Sequence, residues 1–499
     1  MGNNTDMGRN KGKKGRHNNN SNNIQAVRTN DVEHIIGNIL AEVGVPENEK
    51  MKFIKSIAKK LWDIYTDEKM EKQKNFGLAI RDLNIVVPNG TDKEAFSCAI
   101  DLKDMAGKVK DIGLIEGEQT GLSLTRGEDG TYTLSGKPAA TGDFMLRLQF
   151  TATDDDIHTP VEIELPWAVN HNPRDLWKEI PCDPSLPFLR PDTATEYIKV
   201  EAQDGTPRKD IVAASRRGRS HAQEGKPRDD DFSVKHCEAS DWYILAVADG
   251  AGSAKYSRRG AQVACDTVTS RCMQLLADNE EFEKAIADYA ADREDKEKRT
   301  ALSEKVYTAM SETAHEAHKA VCALPETEKE VEGATVRDFS TTLMFAVCKR
   351  FGFGWFIASF WVGDGAMCLY DESAKTAKLL GTPDEGEFSG QTRFLTMKEI
   401  FQDSKEIAKR VRMTIVPDFT ALMLMTDGVS DAMFKSEKDL NDPGKWAEMY
   451  GKLRQGFPDD EIGGVDLTDD NEEAKDQLLG WLNFWSRGNH DDRTIAILY

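Results

Sequence analysis

Apolar residues change their spacing three times along the chain, and each change predicts a different kind of structure. From Asp31 to about Lys72 they recur at helical intervals, as Val32, Ile35, Ile36, Ile39 and Leu40 and then Phe53, Ile54, Ile57, Leu61 and Ile64. This predicts a helical pair broken near Gly44 to Pro46. Between about Asn75 and Val169 the runs shorten and alternate, as in Leu78 to Val87, Thr131 to Leu134, Phe144 to Thr153 and Val161 to Pro166, which suggests a β-sandwich. After a Pro-rich stretch from Pro181 to Pro191, strands and helices mix to the last residue. Strands are expected at Thr341 to Lys349, Gly354 to Val362, Ala366 to Tyr370, Arg412 to Val416 and Leu422 to Thr426, and helices near 258–277, 280–322 and 472–486.

These changes divide the 499 residues into a disordered basic tail (1–23), a helical segment (24–74), an all-β domain (75–175), a linker (176–205) and a mixed α+β domain (206–499). The tail is rich in Asn, Gly and Lys and holds too little apolar surface to offset the entropy of ordering. The linker should make a fragment starting near Asp192 separable.

Composition excludes several classes. A net charge of −21 argues against nucleic acid, whose binding rests on neutralising phosphates with Lys and Arg. No apolar run approaches the ~20 residues a bilayer crossing needs, and no secretory signal opens the chain, so a cytoplasmic protein is expected. The eight cysteines are scattered, without a C-x-x-C pair, and read as buried apolar groups.

Candidate chemistry is concentrated in aspartates. Asp249-Gly250, Asp364-Gly365 and Asp427-Gly428 each follow an apolar strand, and Asp491-Asp492 enters the final one. An Asp-Gly pair alone is an ordinary turn. Together, strands of one core would carry their aspartates to one rim, where carboxylates ~4 Å apart repel by roughly 4 kcal/mol per pair and need cations to stay together. Oxygen ligands without His or Cys select Mg²⁺ or Mn²⁺, and the chemistry suggested is phosphoester hydrolysis.

These motifs in this order resemble the protein phosphatase 2C family, in particular its bacterial branch. The resemblance runs through Ser215-Arg-Arg-Gly-Arg-Ser-His to Asp231-Phe232, Ala248 to Ser253, Phe339 to Thr342, Val362 to Asp364, Thr426 to Asp431 and Asp491 to Thr494. It implies a four-layer αββα sandwich, a phosphoprotein substrate and an opposing Ser/Thr kinase. It also implies two tight metal ions, with a third, weaker one in many members. Asp249 would bridge both tight ions and the Gly250 carbonyl would bind the second. Asp427 and Asp491 would complete the shell of the first ion, Asp229 and Asp230 match the paired acidic position, and Asp364 and Asp431 match the third-ion residues. Ala251 stands where animal members carry a histidine general acid, leaving that role to a metal-bound water or to His221. Arg216, Arg217 and Arg219 compete as the phosphate-binding arginine, and Arg219 is the choice. Alternatives are a pseudophosphatase or signalling module, or a phosphatase of nucleotides or small phosphoesters. Separately, Gly130 to Phe144 resembles the closing strands of immunoglobulin-like domains in bacterial multidomain proteins.

Overall fold

The computed structural model describes residues 34–202, 208–384 and 392–499. The expected tail (1–23) and the first ten residues of the helical segment lie outside this range. The chain forms two compact units, one ending at Leu176 and one spanning Trp177–Tyr499.

In the first unit, a helix over 34–42 is followed by the long α1 (Glu47–Asp82). α1 runs through the boundary expected at residue 74, so Leu78 to Asp82, expected as the start of a strand, is helical. Phe76 and Ile80, one helical turn apart, place those residues in the β-core instead. The strands that follow are β1 (Gly90–Thr91), β2 (Phe96–Ile100), β3 (Val109–Glu116), β4 (Leu122–Arg126), β5 (Tyr132–Gly136), β6 (Gly142–Ala152) and β7 (Val161–Asn170). They make one sheet of order β1-β7-β6-β3 and a second of order β2-β5-β4. Leu134, Leu146, Leu148, Phe150 and Trp167 fill a single core from both sheets.

The second unit stacks two antiparallel sheets. The first has the order β10 (Asp231–Cys237), β11 (Trp242–Ala248), β12 (Leu343–Phe351), β13 (Gly354–Val362) and β16 (Val411–Val416). The second has the order β15 (Thr376–Leu379), β14 (Ala366–Asp371), β17 (Ala421–Met425), β18 (Arg493–Leu498), β9 (Ile211–Arg216) and β8 (Thr193–Ile198). Every residue of β11, β13, β17 and β18 is buried. Both faces of those strands are covered, which is why they read as apolar runs and not as alternations.

One side of the sandwich is closed by α2 (Ser257–Leu276) and α3 (Lys296–Cys322), the other by α4 (Pro443–Gln455) and α5 (Ala474–Trp481). Helix expected as one stretch over 280–322 is interrupted at 292–295, where Asp295 caps α3 by accepting from Glu297 and Lys298 N–H.

The expected linker, 176–205, is not a free spacer. Thr193–Ile198 is the edge strand β8, Phe188 packs on Tyr256 and Phe339, and the Pro187 and Pro191 carbonyls accept from Arg258 and Arg228. Proline signalled the absence of regular structure correctly, but its carbonyls remain acceptors for buried guanidinium groups. All eight cysteines are free thiols, five of them buried.

Candidate metal centre

The aspartates converge because the strands before them end at one rim. Asp249 follows β11, Asp364 sits in the turn after β13, and Asp427 opens a short helix, Asp427–Met433, directly after β17. One carboxylate oxygen from each lies within 4.8 Å of the others. Asp431 lies one turn further along that short helix. Asp229 and Asp230 precede β10, and Asp491 and Asp492 precede β18.

Hydroxyl groups hold the backbone here. Asp249 N–H donates to Thr342 Oγ1 at 2.8 Å, and its carbonyl accepts from Thr342 N–H at 2.8 Å and Thr341 Oγ1 at 2.9 Å. Gly250 must be glycine, since a Cβ there would stand 2.6 Å from the Asp229 carbonyl oxygen. Gly428 is constrained likewise, with Asp492 O 1.9 Å from a notional Cβ. Asp230 Oδ2 accepts from Thr426 Oγ1 (2.8 Å) and Thr494 Oγ1 (2.7 Å).

One buried oxygen on each of Asp229, Asp230, Asp364 and Asp427 is left without a hydrogen-bond partner. Such groups cost free energy unless something satisfies them. Electrostatics reports the same crowding. Burial, then the Asp364 charge, lifts Asp427 to about 7, and burial with Asp364 and Asp491 lifts Asp431 to about 6. Asp229 rises to about 6 through burial and Asp492. Burial raises Asp249 and Asp230 well above the carboxylate range, assisted by Asp427 and Asp492 respectively. Asp491 is raised by burial and Asp492. A cluster of oxygen donors that resists its own ionisation fits a hard divalent cation.

The profile of the protein phosphatase 2C family matches residues 217–468, just over half of the chain. The chain belongs to this family. The match stops before Asp491. Solved structures similar to this chain include a bacterial serine phosphatase (11% identity, 58% of this chain and 96% of that one, TM-score 0.33). Others are serine/threonine phosphatase Stp1 from Staphylococcus aureus (12%, 60% and 98%, 0.32) and serine-threonine phosphatase 2C from Toxoplasma gondii (14%, 62% and 99%, 0.36). No curated protein sequence matches the chain.

In this member of the 2C family, Arg216, Arg217 and Arg219 all line one cleft with Asp491, and the Arg219 guanidinium is already engaged there. It donates to the carbonyls of Asn483 (2.7 Å) and Phe484 (3.1 Å) and lies over the Trp485 ring. Arg217 is held by Asp192 and the Ile180 carbonyl. Arg216, at the end of β9, lines this cleft of about 240 Å³ with His490 and Asp491, and among the described residues its guanidinium makes no hydrogen bond or ion pair.

His221 lies between two aspartates, with Nδ1 3.0 Å from Asp492 Oδ2 and Nε2 3.7 Å from Asp491 Oδ1. Burial disfavours its charge, but Asp492, Asp491 and Asp229 lift it to about 9.

Two buried residues were given no role in the sequence reading. Asp492 accepts from Gly218 N–H (2.6 Å) and Asp229 N–H (2.5 Å) and contacts His221, which overcomes burial and holds it below the usual carboxylate range. Its only signal was adjacency to Asp491. Arg258 donates to the Pro187 carbonyl and approaches Asp229 Oδ1 at 3.6 Å; nothing in the sequence marked it out.

Proposed function

We propose that this protein hydrolyses phosphoserine or phosphothreonine in proteins, using Mg²⁺ or Mn²⁺ held by the aspartate cluster. The observation that carries the reading is the convergence of Asp249, Asp364 and Asp427, two of them with orphaned buried oxygens.

Asp249 would serve two tight ions, with the Gly250 carbonyl on the second and Asp427 and Asp491 on the first. Asp229 and Asp230 add the paired acidic position, where Asp230 still has Oδ1 to offer. Asp364 and Asp431 are the residues for a third, weaker ion. When bound, the metal supplies Lewis-acid activation of water for attack on phosphorus.

The remaining work falls to the chain itself. Arg216, with no partner among the described residues, is the guanidinium available to the substrate phosphate and is preferred here to Arg219. Ala251 cannot donate a proton. His221, raised to about 9 by the neighbouring carboxylates, favours its protonated form in the metal-free protein and lies between Asp491 and Asp492. The likeness of Gly130 to Phe144 to immunoglobulin-like strands is supported by the strand order of the first unit. If β2 to β7 are named B to G, the sheets read B-E-D and C-F-G, the immunoglobulin arrangement. Such a module serves as a spacer or docking surface. An opposing kinase is the expected counterpart of the activity. Among the described residues no helix is long and apolar enough to cross a membrane.

The test compares phosphoserine and phosphothreonine peptides with nucleotides, with Mn²⁺, Mg²⁺ or chelator. Turnover that survives exhaustive chelation would overturn the metal assignment, and turnover of nucleotides alone would overturn the substrate class.

A further inference from the structure

The long helix α1 is covered along one face only. Ile54 and Ala58 are buried in its first half, with Ile54 Cδ1 3.4 Å from the position a Cβ on Gly37 would take, so the 34–42 helix lies against that face. Phe76 and Ile80 continue the face into the β-core. A second line of apolar residues runs beside it through Phe53, Ile57, Leu61 and Ile64, at the spacing of a helix–helix seam. Phe53 is 50%, Leu61 47% and Ile64 56% exposed, so the described residues of the first unit do not cover it.

Charge is distributed unevenly along the same helix. Residues 50–60 carry Lys50, Lys52, Lys55, Lys59 and Lys60 and no acid, a net of +5. Residues 61–71 carry Asp63, Asp67, Glu68 and Glu71 against Lys69, a net of −4 + 1 = −3. The two blocks are the same length and meet at Leu61. A copy of this helix laid antiparallel about a twofold axis between positions 60 and 61 sets each basic block against an acidic one. In that register Lys50 faces Glu71, Ile57 faces Ile64 and Phe53 faces Glu68, with Leu61 beside Lys60 at the centre and Lys52–Lys69 the single like-charge pair. A parallel copy would set lysine against lysine and acid against acid, which is repulsive. The chain's own N-terminus is a poorer match: residues 1–23 contain only Met1 and Met7 as apolar side chains, and residues 24–33 add Ile24, Ala26, Val27 and Val32 but only Asp31 and Glu33 to set against five lysines.

We infer that the open face of α1 is a self-association surface, on which a second copy of this chain docks antiparallel through Phe53, Ile57, Leu61 and Ile64. An isologous contact of this kind closes as a twofold dimer and leaves no further open face to propagate.

Light scattering on the full-length protein over a concentration series is expected to show a dimer. Leu61→Glu and Ile64→Glu each put a charge at the centre of the seam and should raise the dimer dissociation constant at least about thirtyfold. Both positions are exposed, so phosphopeptide turnover and helical circular dichroism should be retained. Cysteine pairing reports the direction. Under mild oxidation Lys60→Cys should cross-link to itself, Glu71→Cys should not, and a mixture of Lys50→Cys and Glu71→Cys chains should give the mixed disulfide beyond the background of the native thiols. A monomer at all concentrations, a dimer indifferent to both glutamates, or a self-cross-link at Glu71→Cys would each overturn the inference.

Discussion

Replacing Asp427 by Asn should stabilise the metal-free protein while weakening its hold on metal. Its carboxylate lies within 4.8 Å of Asp249 and Asp364, a separation at which two charges repel by about 3 kcal/mol at an effective dielectric of 20. Burial first, and then the Asp364 charge, lifts Asp427 from 3.8 to about 7, which penalises its ionised form by ~4 kcal/mol. Screening at the open rim and the loss of a helix N-terminal charge reduce the gain from Asn to about 2 kcal/mol. The sign with pH is fixed. A carboxylate raised in the fold binds more protons folded than unfolded, so its contribution to stability falls as pH climbs from about 4 to about 7. Asn therefore gains most at pH 8 and almost nothing near pH 4. Thermal unfolding in chelator at pH 8 should show the variant melting ~4 °C higher, whereas saturating Mn²⁺ should stabilise the parent protein by more than the variant. A variant that melts lower than the parent in chelator at pH 8 would refute the like-charge account of this cluster.

Asp249→Asn should lose turnover by orders of magnitude together with tight metal, whereas Asp431→Asn should keep two ions by calorimetry and show reduced turnover with a higher Mn²⁺ requirement. Arg216→Ala should raise the KM for a phosphopeptide, while Arg219→Ala, which frees the carbonyls of Asn483 and Phe484, should lower the melting temperature and leave KM near the parent value. Since Asp229, Asp427 and Asp431 sit at about 6, 7 and 6, the Mn²⁺ concentration for half-maximal activity should fall as pH is raised from about 6 to about 8; a flat titration would count against these ligands. A chain beginning at Trp177 should be active, and one beginning at Asp192 should lose metal affinity and stability, measured by calorimetry and thermal melting.

The strands of the second unit were legible because burial on both faces writes itself as unbroken apolar runs, as in Gly354 to Val362. The first unit was harder. Phe76, Leu78 and Ile80 alternate as a strand would, and only the continuity of α1 with the preceding turns shows that Phe76 and Ile80 point into the core while Leu78 does not. At the site, an Asp at the end of an apolar strand could be located from sequence because strand ends gather at a rim. What a side chain does after leaving that rim could not. Arg216, Arg217 and Arg219 are near neighbours in sequence, yet Asp192 and Ile180 engage one, Asn483 and Phe484 another, and no described group the third. Those partners are up to 265 residues away, beyond any local pattern.

The Pro-rich segment near the start of the second unit shows why a composition signal can locate a segment and misjudge its role. Proline and the lack of periodicity in 181–191 report that no regular ladder forms there, which is true, but carbonyl groups outside a ladder are free to accept from elsewhere. Ile180 bonds through its N–H to Ala222, Pro187 accepts from Arg258, Arg190 pairs with Asp231 at 2.8 Å, and Pro191 accepts from Arg228. Arg258 in turn approaches Asp229, and Arg228 donates to Ser215, whose hydroxyl meets Thr494, a donor to Asp230. Removing the strap would leave two buried guanidinium groups short of acceptors directly behind the paired acidic residues, at a cost of about 1–3 kcal/mol for each unsatisfied group. The carboxylates are gathered by the sheets, but the residues immediately behind Asp229 and Asp230 are held from outside the sequence motifs that announce them.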